Sequence, residues 1–67
     1  MSADRVRTLL LRGDNVLKSA QPERFGRALA AFEEARVAAA DPAVDPRVRE
    51  LVDRRIEQLH ALMEEQA

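Results

Sequence analysis

Three prolines, Pro22, Pro42 and Pro46, do most to limit what this chain can build. Proline disfavours helix at the residue before it and suits the first helical position, where its missing N–H costs nothing. The stretches Ser19-Ala20-Gln21-Pro22-Glu23 and Asp41-Pro42-Ala43-Val44-Asp45-Pro46 therefore read as breaks. Pro22 and Pro46 read as helix starts, and Asp45 as an N-cap whose carboxylate accepts from free amides. Asp41-Pro42 opens a short turn of its own. Three helices result, over about 3–19, 22–40 and 46–65, in a single domain spanning 1–67. No segment alternates with period two, and only six valines, one isoleucine and one threonine are β-branched, so no strand is expected. Asp14 and Lys18, Glu23 and Arg27, and Glu50 and Arg54 each place an acid four residues before a base, the favourable order on a helix.

A 67-residue chain buries only about 60% of its unfolded surface. Cores below about 70–80 residues usually need disulfides, a metal or association. There is no cysteine and a single histidine, so association is the remaining aid. The net charge of −1, with both signs spread along the chain, points away from nucleic acid and anionic membrane. The longest apolar run near the N-terminus, Leu9 to Leu11, is too short for a leader or a span, so a cytoplasmic protein with no membrane partner is expected. Ten arginines to one lysine and many alanines suggest a GC-rich bacterial source.

Each helix has an apolar face at about 100° per residue. On the first, Val6, Leu10, Gly13, Leu17 and Ala20 align, with Leu9 and Val16 beside them and Leu11 opposite. The second has a bulky row, Phe25, Leu29 and Phe32, next to a small row, Ala28, Ala31, Ala35 and Ala38, which suits a middle helix with two neighbours. The third shows Val48, Leu51, Val52, Ile56, Leu59, Leu62 and Met63 with Arg55 at the centre. That stripe is about 140° wide, more than one neighbour covers. Arg55 is expected to snorkel, or to pair with a carboxylate across a helix or subunit interface, Glu33 or Glu34 of a second copy being candidates.

Glycine inside a helix costs about 1 kcal/mol against alanine. At Gly13 that cost would be offset by close approach of another helix, for which the alanine row offers a smooth surface. Leu9 and Gly13, followed by Ala28, Phe32, Ala35 and Pro42, resemble the tetratricopeptide repeat over about residues 6–42, with a longer turn between the helices. The resemblance implies an antiparallel helical hairpin, with the third helix as the cap that follows a repeat. The expected fold is all-α: a three-helix domain of hairpin plus packed third helix.

Arg12-Gly13-Asp14 spells an adhesion tripeptide, but it falls within a predicted helix with Gly13 facing inward. His60 has neither an orienting partner nor a nucleophile placed by spacing. Glu57 and His60 have the E-x-x-H spacing of di-iron bundles, whose sites need several such contributions. The adjacent pairs Glu33-Glu34 and Glu64-Glu65 diverge by about 100° and form no dyad. Arg47, Arg49, Arg54 and Arg55 alternate with Glu50, Asp53 and Glu57, with no stacking aromatic, and read as a solvated, salt-paired face. Phe25 and Phe32 read as core. The expectation is therefore no enzyme, metal, cofactor or small-molecule substrate. What remains is a protein–protein interaction module that self-associates, most simply as a homodimer, through Leu11, Leu51, Arg55, Leu59, Leu62 and Met63. The alternative is a small helix-turn-helix-like nucleic-acid binder, which the near-neutral charge disfavours.

Overall fold

A computed structural model describes residues 2–66. It contains α1 (Ser2–Lys18), α2 (Arg24–Ala39) and α3 (Pro46–Gln66), with no strand among the described residues. The fold is the expected all-α, three-helix domain. Its extents are 37 × 18 × 13 Å.

Local chemistry sets most of the helix ends. Asp4 in the first turn of α1 and Lys18 in the last complement the helix dipole. Ser19 closes α1: both its N–H and its hydroxyl donate to the Val16 carbonyl, at 3.1 and 2.6 Å. At α3 the Asp45 carboxylate accepts the Arg47 N–H at 2.9 Å, with Pro46 at the first helical position, as the N-cap reading requires. At α2 the start is later than Pro22. Glu23 makes no side-chain cap, and the Arg24 N–H donates to the Gln21 carbonyl at 3.2 Å, so Pro22 and Glu23 occupy a turn. Glutamate reaches the first-turn amides poorly, and nothing at Gln21 holds proline at the head of the helix.

The loop into α3 is shaped by Asp41. Its carboxylate accepts the Ala43 N–H and its carbonyl accepts the Val44 N–H, each at 2.9 Å. The turn drives Val44 into the core at 2% exposure. Arg49 then donates to the Val44 carbonyl at 3.0 Å and ties the loop to α3.

The core joins Val6, Leu9 and Leu10 of α1, Ala28, Phe32, Ala35 and Ala39 of α2, Val44, and Val52, Ile56 and Leu59 of α3. Helix α2 is the middle element, packed closely against α1 and also against α3. The hairpin crossing centres on Gly13, which is buried. A Cβ placed there would lie 2.8 Å from Phe32 Cδ1, 2.9 Å from Cζ and nearer still to Cε1. The partner of Gly13 is thus the ring of Phe32, where the alanine row was expected. Ala28 and Ala35 flank that ring at 0% exposure, and their small size brings the two helices near enough for it to reach α1. Leu17, Val16, Phe25 and Leu29 pack half-buried around this centre, whereas Ala20 lies outside it, exposed.

Candidate interaction surface

Helices α1 and α3 share α2 as neighbour and run in the same direction, leaving a groove of about 340 Å³ between them. Val6 and Leu10 from α1 and Val48 from α3 line its apolar base. Leu11 and Leu51 also line it and stay open to solvent, at 56% and 43% exposure. Arg7 borders the groove on the α1 side. Asp14 and Arg55 line it further along and are joined by an ion pair, the one hydrogen-bonded side-chain link between α1 and α3 among the described residues.

This pairing meets one expectation, that Arg55 pairs with a carboxylate across a helix interface, and revises another. Asp14 meets Arg55, 41 residues away, where a local pair with Lys18 was expected. None of the three acid-to-base pairs expected at four-residue spacing is an ion pair among the described residues; the pairs present are Glu33 with Arg36, Asp45 with Arg47, and Asp14 with Arg55. Arg55 finds its acid within the chain, so it does not need Glu33 or Glu34 of a second copy. A cation standing in an apolar stripe stays hydrated or finds a charge-assisted partner. Asp14 lies at the matching height on the parallel helix and provides one.

The residues expected to form a contact surface divide. Leu11, Leu51 and Leu62 are exposed, Leu62 at 41%. Arg55 is half-buried in its ion pair, and Met63 is half-buried against the core. Leu59 is a correction: at 1% exposure it belongs to the chain's own core, because its side of α3 turns toward α2. The structure also exposes Val37 at 76%, which the sequence reading did not single out. Its place five residues after Phe32, about 140° around the helix, was the signal.

Other motifs take structural positions. In Arg12-Gly13-Asp14 the glycine is buried and the aspartate bound to Arg55, all within α1. Arg47 pairs with Asp45 at 3.1 Å, and Arg49 holds the Val44 carbonyl, while its buried Nε has no hydrogen-bond partner among the described residues. With Arg54 exposed and Arg55 on Asp14, the four arginines serve separate local tasks and only partly form the expected salt-paired face. The Asp45 carboxyl is held below the usual aspartate range, first by the Arg47 guanidinium and then by the Arg47 amide, with Arg49 adding to them. His60 and Glu57 are both exposed, and no three His, Asp or Glu gather into a metal-holding group among the described residues. Among the described residues no helix is long and apolar enough to cross a membrane. No family model, curated protein or solved structure matches the chain.

Proposed function

We propose that this chain is a small, non-enzymatic protein–protein interaction module of the cytoplasm. It associates with its own copy, most simply as a homodimer, through the α1/α3 groove. The hairpin and third helix are then a repeat-like unit with its cap, in the manner of the tetratricopeptide resemblance. The observation that carries the reading is the pair of exposed leucines, Leu11 and Leu51, on a groove with an apolar base. Burying a leucine fully is worth about 1.5–3 kcal/mol, a large fraction of the stability of a domain this small. Placing a partner's apolar stripe over the groove would gain part of that for each leucine. The partly exposed Asp14–Arg55 pair would keep α1 and α3 in register around the groove.

The test is molar mass by light scattering after size-exclusion chromatography, on the parent and on Leu51→Glu. Leu51 is exposed, so the variant should keep its helix content while its apparent mass falls to that of a monomer. Leu59→Glu is unsuitable, since a charge at a buried core position unfolds the monomer whether or not it associates. A parent that is strictly monomeric, with melting independent of concentration over a hundredfold dilution, overturns the self-association.

A further inference from the structure

A second surface lies on the opposite side of Leu11. Thr8, Leu11, Arg12 and Asn15 of α1, with Arg27 of α2, border an open hollow of about 530 Å³ at the α1–α2 turn. No carboxylate and no residue of α3 lines it. Arg27 donates to the neutral Gln21 side chain at 3.1 Å, and neither arginine has an ion pair among the described residues. The other hollows differ. The α1/α3 groove contains Asp14, and the hollow near the far end of the hairpin contains Glu34 and Asp41. Two guanidinium groups beside an exposed leucine suit a segment that is both acidic and apolar.

The chain carries such a segment. Residues 1–27 hold six arginines and lysines and three acidic side chains, whereas 56–67 hold Glu57, Glu64 and Glu65 and no arginine or lysine. Leu62 is exposed on this segment, and Glu65, three residues on, shares its face of α3. With Asp14 beside Arg55 and the helices parallel, α1 ends level with about residue 59. The last two turns of α3 therefore run roughly 10 Å past α1, toward the same end of the molecule as the hollow. No residue of α3 lines the hollow, so the chain's own tip does not fill it.

We infer that the hollow bordered by Leu11, Arg12 and Arg27 receives the acidic, apolar tip of α3, Leu62 and Glu65, from a second copy of this chain. The inference rests on the self-association proposed above and specifies a contact outside the groove. A two-fold axis across the helices, near the level of residue 59, brings each tip back alongside the other copy's hollow, giving two identical contacts per dimer.

The test uses Arg12→Glu/Arg27→Glu and Glu65→Arg, each checked for unchanged helix content by circular dichroism. Glu64→Arg is the control, since it alters charge equally but points about 160° away from Leu62. Dimer dissociation constants are measured by sedimentation at low and high salt. Each of the first two variants alone should dissociate about tenfold or more readily than the parent, while Glu64→Arg changes little. Mixing the two should restore a heterodimer, because both contacts then match in charge. High salt should weaken the parent and the mixture alike. A parent that dimerises, loses its dimer on Leu51→Glu, and is indifferent to the charge reversals overturns this inference and leaves the groove reading intact. A parent that never associates overturns both.

Discussion

Alanine at Gly13 and alanine at Gly26 are the same chemical change with opposite expected outcomes. Both glycines lie in helices, and neither has a positive φ. Each substitution should gain about 0.5–1 kcal/mol from the lower conformational freedom of alanine. At Gly26 nothing lies within 4 Å of the new Cβ, so that gain should appear undiminished. At Gly13 the Cβ would enter the Phe32 ring, 2.8 Å from Cδ1, where carbon atoms normally rest about 3.5–4.0 Å apart. Phe32 is only 1% exposed and has no open side to swing into, so the hairpin must part. Overpacking of this kind costs about 1–3 kcal/mol. Gly13→Ala should therefore be neutral to about 2 kcal/mol destabilising, and should lie about 1–3 kcal/mol below Gly26→Ala. Thermal melts followed by circular dichroism at one fixed protein concentration resolve this, since 1 kcal/mol moves Tm by about 4–8 °C in a domain of this size. Adding Phe32→Leu to Gly13→Ala should recover part of the loss, a coupling that a double-mutant cycle reads directly. If Gly13→Ala stabilises as much as Gly26→Ala, the close crossing of α1 and α2 at Phe32 does not exist.

Ala35→Leu puts three further carbons into a fully buried site in the same crossing and should lose about 1–3 kcal/mol in chemical denaturation; a variant as stable as the parent would place the alanine row at a surface. Asp45→Ala removes the cap of α3 and should lower Tm at neutral pH. Folding lowers the pKa of Asp45, so its contribution is present above the ordinary carboxylate range and is lost as pH falls through the folded value; the gap between parent and variant should close in acid, and a pH-independent gap would refute the linkage. Asp14→Asn breaks the pair with Arg55, but both side chains keep about a third of their exposure, so the loss should stay below about 1 kcal/mol and shrink with salt. Integrin-bearing cells should ignore both the parent and Asp14→Glu, because the tripeptide is helical with its glycine buried; adhesion to the parent that the variant loses would contradict this.

What the sequence determined by itself is the local part of the fold. The cap at Asp45, the helix start at Pro46 and the turn at Asp41 depend on groups within a few residues of each other, and spacing alone placed them. The inward turn of Gly13, the small row of α2 and the exposure of Leu11 follow from helical period, which is also local. The tertiary structure decided which faces meet and at what height. Gly13 could have met any smooth surface; the relative height of α1 and α2 brought the Phe32 ring onto it. Asp14 had a favourable base four residues on, yet it pairs with Arg55, because a half-buried guanidinium in an apolar stripe has more to gain from a carboxylate than an exposed lysine has. Leu51, Leu59 and Leu62 belong to one broad stripe in the sequence. Only the docking of α3 on α2 sends Leu59 into the core and leaves Leu51 and Leu62 outside, since the edge of a stripe is defined by the neighbour that covers it.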